Sequence, residues 1–89
     1  MKINADNKDL KGYYANMMQA THSQEEFCLD FFNVFPPSPI LLSRVVVSPG
    51  HLKRMIKALQ DNLASYEKSF GQISEAKEPE KRIGFTNEA

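Results

Sequence analysis

The sequence predicts an α+β fold: a three-stranded antiparallel sheet followed by one long C-terminal amphipathic helix, in the order βββα, with the sheet packed on the helix and completed by homodimerisation. Three observations carry this expectation. Residues 26–34 and 40–47 alternate in side-chain character and are rich in aromatic and β-branched residues, as pleated, half-buried strands require. At Ser48 the apolar period changes from 2 to 3.6. The stretch from Ser48 to Gly71 carries signals for both ends of a helix.

Size limits what such a chain can bury. It has 89 residues, enough for one domain. Removing the charged C-terminal end leaves a foldable part of roughly 60 residues, a core that is marginal alone. Lys and Arg number 11, as do Asp and Glu, so the net charge is zero. Non-specific nucleic-acid binding needs a basic field, which this balance does not supply. One cysteine allows no internal disulfide and suits a reducing compartment. No apolar run reaches the ~18 residues of a membrane span, and the opening MKINADNKDL lacks an apolar leader core. A cytoplasmic protein without a membrane partner is the expectation.

Residues 1–11 are polar, with isolated Ile3 and Leu10, and read as a flexible N-terminal arm, the alternative being a short edge strand. Residues 12–71 form the single domain. Within it, residues 12–21 read as the first strand, although their methionines and alanines also suit a helix. Residues 26–34 are the second strand, with Phe27, Leu29 and Phe31 on one face and Cys28, Asp30 and Phe32 on the other. The segment Pro36 to Pro39 reads as a stiff loop. Residues 40–47 are the third strand, supported by the run Val45 to Val47. Ser48 is a good N-cap, Pro49 costs nothing at the first helical position, and Gly71 suits the left-handed exit. Between them Leu52, Met55, Ile56, Leu59, Leu63, Tyr66 and Phe70 occupy one side of a helix. Such a helix has about 22 residues and is about 33 Å long. Residues 72–89, rich in Lys and Glu, read as a charged, disordered tail.

A register follows if the proline loop is centred near residue 37. Asp30 then lies opposite Arg44, Leu29 opposite Val45 and Phe27 opposite Val47. A slip by one residue would turn both charges under the helix, so the pair fixes the register. The face away from the helix would carry Tyr13, Met17, Phe32, Leu42 and Val46. The last helical turns, with Tyr66 and Phe70, would overhang a strand of about 25 Å. These seven residues are the expected surface for self-association or a partner, because exposed apolar patches of that size drive association.

Chemistry is sparse. His51 lies near Ser48, but no carboxylate to orient it and no oxyanion site are evident, so it is expected to pack or hydrogen-bond at the helix start. His22 falls in a polar turn. Cys28 reads as an inert strand thiol, and Asp30 as the partner of Arg44. Two histidines and one cysteine show no metal-ligand spacing. Lys53, Arg54 and Lys57 sit at the unfavourable end of the helix dipole. They read as a solvated face, or as groups that meet Glu25, Glu26 or an anionic partner. No catalytic residue, cofactor or metal is expected, and the chain does not read as an enzyme.

Four motifs resemble a family. Tyr14-Ala15-Asn16, Glu26-Phe27-x-x-Asp30-Phe31, Ser48-Pro49-x-His51-x-Lys53 and Tyr66-Glu67-x-x-x-Gly71 occur in order. They resemble the small prokaryotic proteins grouped as domain of unknown function 3467, across residues 12–71. Leu52 stands where that pattern has alanine. The resemblance implies no particular activity, substrate or catalytic residue. The strands-then-helix order is also similar to the export chaperone SecB, which has one more strand and binds unfolded polypeptide. The expected function is therefore a protein-binding or assembly module acting as a homodimer or higher oligomer, with SecB-like polypeptide binding as one form. The alternative is a nucleic-acid-associated regulator using Lys53, Arg54 and Lys57, and a third reading is an enzyme using His51 or Cys28.

Overall fold

The computed structural model describes residues 1–35 and 38–77. Its elements are α1 (Asn7–Lys11), β1 (Met17–His22), β2 (Phe27–Phe35), β3 (Ser38–Val47) and α2 (Pro49–Phe70). The strands form one antiparallel sheet with β2 in the centre. The three-stranded sheet followed by a long helix is thus the architecture that the alternation and the caps predict.

The register is the predicted one where the charges lie. Asp30 pairs with Arg44, Leu29 with Val45 and Phe27 with Val47. The turn differs. β2 runs to Phe35 and β3 begins at Ser38, so Ser38 and Pro39 belong to a strand rather than to a four-residue loop. Pro36 and residue 37 lie outside the described residues. A shift between Phe31 and Phe32 absorbs the difference: Phe31 pairs with Ser43 but Phe32 with Leu41. Leu42 is the extra residue of this bulge, so it has no cross-strand partner.

The first strand starts later than its apolar pattern suggests. Asn16 is the reason. Its side-chain amide donates to the Val34 carbonyl at 3.1 Å and its side-chain oxygen accepts from the Val34 N–H at 2.8 Å. A side chain thus replaces the peptide group that would extend the ladder. Tyr13 and Tyr14 precede the strand and are exposed. Ahead of them, the expected arm contains one helical turn, α1. Asp6 starts it, donating its N–H to the Asp9 carboxylate at 3.4 Å and accepting from the Asp9 N–H at 3.0 Å. No residue of α1 is buried, so it adds nothing to the core.

The core is small. Among the described residues, Leu29 and Phe32 are the buried apolar side chains, at 4 and 2 % exposure. They sit on opposite faces of β2, the strand with a neighbour on each side.

Helix α2 has the predicted ends. The His51 N–H donates to Ser48 Oγ at 3.1 Å, and the Gly71 N–H donates to the Glu67 carbonyl at 2.8 Å with φ of 92° at Gly71. Ser48→Ala removes the acceptor for one of the orphan amides, and a loss of about 1 kcal/mol in thermal unfolding followed by circular dichroism is the expected result.

The packing of sheet on helix needs correction. Within one chain α2 has no buried residue, and the dense contacts run only between neighbouring strands. The cause is the joint. Val47 ends β3 and Pro49 starts α2, so Ser48 alone connects them, in an extended conformation. Strand-to-helix connections usually take 2–6 residues, and one residue leaves no chain to fold the helix back over the sheet. The helix therefore makes no dense contact with either face, its partial cover being confined to Leu52, Met55 and Glu67, and surplus apolar surface is greater than the sequence pattern implies. Residues 78–89 of the expected tail lie outside the described residues, and residues 71–77 carry no regular structure.

Candidate interaction surface

The surface is assembled from two parts. The first is α2, whose apolar side stands open: Ile56 is 48 % exposed, Leu59 67 % and Phe70 77 %. Tyr66 and Phe70 are one helical turn apart and their rings meet at 5.0 Å. Only Leu52, Met55 and Glu67 are partly covered along the helix. Past its end the Glu67 carboxylate accepts the Ile73 N–H at 3.2 Å.

The second part is the sheet. Leu29 has Ala20 and Val45 as cross-strand partners, and Phe27 has His22 and Val47. The His22 and Phe27 rings lie 5.1 Å apart. On the opposite face Met17, Phe32 and Leu41 form one row, Gln19, Asp30 and Arg44 the next, and Thr21, Cys28 and Val46 the third. Of the residues expected to form an open patch, Met17 and Val46 share this face as predicted. Val46 is exposed and Met17 partly so. Phe32 is buried by the single chain and belongs to its core. Tyr13 lies before the strand and Leu42 in the bulge. Tyr66 and Phe70 are on the open helix, apart from the sheet residues.

The polar row explains Asp30 without chemistry. Arg44 holds its carboxylate with two bonds, Nε to Oδ1 at 2.7 Å and Nη2 to Oδ2 at 3.0 Å. Asp30 is buried while the Arg44 side chain is half exposed. The Arg44 hydrogen bonds hold the Asp30 carboxyl below the usual carboxylate range, against burial, which pushes it up. The Cys28 thiol makes a long contact of 3.7 Å to Asp30 Oδ1. A carboxyl depressed in the folded chain adds stability above its unfolded value, near pH 4. That contribution disappears as pH falls through the lower folded value. Asp30→Asn is therefore expected to unfold at lower urea than the parent at pH 7 and to approach it below about pH 4, a comparison that urea titrations at both pH values measure.

The burial of two polar groups is not apparent from the sequence. Gln19 Oε1 and Asn33 Oδ1 are buried without a hydrogen-bond partner among the described residues. Asn33 uses its amide N–H to reach the Tyr14 carbonyl at 3.2 Å. A polar side chain in an alternating strand reads as outward-facing, so neither position stands out from pattern alone.

The remaining candidates do not converge. His51 Nδ1 lies 2.9 Å from Arg54 Nη2, both exposed at the helix start. Lys57 pairs with Asp61 at 3.7 Å along the helix. Lys53, Arg54 and Lys57 are exposed. No group of three metal-ligating side chains occurs among the described residues, and no helix there is long and apolar enough to cross a membrane.

The motif residues therefore serve the frame: Asn16 ends the ladder, Asp30 fixes the register, and Ser48 and Gly71 bound the helix. The family described as Protein of unknown function (DUF3467) matches residues 1–75. The chain belongs to that family. The DUF3467 match extends past both ends of the four motifs, taking in α1 and the first residues after α2. No curated protein and no solved structure matches the chain.

Proposed function

We propose that this DUF3467 protein is a non-enzymatic assembly module that acts as a homo-oligomer. The observation that supports this reading is the open apolar side of α2, which its own sheet does not cover. Burying one large apolar side chain is worth about 1.5–3 kcal/mol, so association gains what the lone chain leaves in water. A two-fold dimer is the simplest closure. The single cysteine and the absence of a disulfide suit work in a reducing cytoplasm. Light scattering at micromolar concentration is the test: twice the mass of one chain is expected, and a strict monomer refutes the reading.

Capture of another polypeptide is the second form of this module. It is favoured by aromatic and aliphatic groups that stay open on the sheet and its ends, including Phe35, Ile40 and Val46. The expected result is slowed aggregation of a chemically denatured client enzyme at equimolar protein. Unchanged aggregation removes this form and leaves the homo-oligomer standing.

A further inference from the structure

The open side of α2 has a stricter spacing than a helix lying on a sheet requires. Leu52, Ile56, Leu59, Leu63, Tyr66 and Phe70 follow one another at alternating steps of four and three. That is the repeat of a coiled-coil seam. One flank of the seam carries Lys53, Gln60 and Glu67, and the other carries Met55, Asn62 and Ser69. The ion pair between Lys57 and Asp61 lies on the side turned away from the seam.

We propose that α2 pairs antiparallel with α2 of a second copy, with the two-fold axis at the level of residue 61. The inference rests on the homo-oligomer reading and adds its occupant and direction. In this register Leu52 meets Phe70, Ile56 meets Tyr66 and Leu59 meets Leu63 of the second copy. Each aromatic of the C-terminal half packs on an aliphatic of the N-terminal half. Along one flank Lys53 faces Glu67 of the second copy, twice by symmetry, while Gln60 faces its own counterpart. Along the other flank Asn62 faces its own counterpart. Glu67 has one carboxylate oxygen on the Ile73 N–H and a second that can receive an ammonium.

A parallel pair has none of this complementarity. It stacks Phe70 on Phe70 and Tyr66 on Tyr66, brings the basic starts of both helices together, and sets their dipoles side by side in the same direction. Pairing through the β3 edge is also disfavoured. The β3 edge carries Pro39, the bulge at Leu42 and charged Arg44, the features by which proteins block edge-to-edge association.

Two measurements on the full chain test the direction. In a Cys28→Ser background, nitroxide labels are placed at Asp61→Cys and, separately, at Lys68→Cys. Antiparallel pairing gives a short distance at 61 and a longer one at 68, where the axial offset reaches about 21 Å. Equal distances at both sites overturn the proposal while leaving the homo-oligomer intact. In the second measurement Lys53→Glu is expected to weaken dimerisation on the order of tenfold. Adding Glu67→Lys is expected to restore it, because the exchanged charges meet again only across an antiparallel seam. A double variant as weak as the single one overturns the proposal. A parent chain that stays monomeric overturns both this inference and the reading it rests on.

Discussion

Replacing Leu59 and Leu63 together with aspartate is expected to abolish self-association and to remove much of the helical signal. Both side chains are exposed on the lone chain, so the change costs a monomer little through packing. In a dimer it affects four side chains. At 1.5–3 kcal/mol each, the loss is roughly 6–12 kcal/mol before the cost of desolvating carboxylates. A micromolar dimer holds only about 8 kcal/mol. The helix then stands without tertiary support, and a free helix of this length is marginal in water. Sedimentation velocity reads the first effect and far-ultraviolet circular dichroism the second. A control exchanging Lys57 and Asp61, which pair away from the stripe, is expected to stay associated. Undiminished association of the aspartate variant contradicts the assignment of this surface.

Phe32→Ala is expected to have the largest effect on folding. The side chain is 2 % exposed and pairs with Met17 and Leu41 across the central strand. Truncating a buried Phe costs about 3–5 kcal/mol. Small domains have about 5 kcal/mol in total at the lower end of the usual range. The variant is expected to be largely unfolded, or to have its urea midpoint near zero. Tyr13→Ala makes the informative comparison, because both aromatics are candidates for an open surface when only the sequence is read. Tyr13 is exposed, and its loss is expected to change stability by no more than about 0.5 kcal/mol. Similar midpoints for the two variants contradict this division between core and surface.

The strands, the helix and the Asp30–Arg44 register were legible because they rest on local rules. Alternation, the run of valines and opposite charges on two strands leave few ways to pair. The helix ends were legible for a similar reason: Ser-Pro and Gly satisfy specific backbone demands. The late start of β1 was not legible. It depends on the Asn16 side chain reaching Val34, a contact between residues far apart in the chain. The bulge at Leu42 was hidden because the assumed turn centre compensated for it. Phe32 misled because an alternating strand shows which residues share a face, but not which of them its neighbours cover. The helix direction is not legible for a more general reason. Amphipathicity says that a stripe seeks cover and does not say from where, and the nearest surface is only one candidate. The family match also takes in α1, whose residues have no apolar pattern to draw notice.

The joint at Ser48 has a geometric consequence. With a strand ending at Val47 and a helix starting at Pro49, the azimuth of α2 about its own axis is locked to the pleat of β3. Splicing in one helical residue after Ser48 would swing every later side chain through about 100°. The greasy stripe would then look in a new compass direction while each domain half kept its own shape. The length of that hinge-point, down to the single residue, thus sets which way the molecule faces its neighbours.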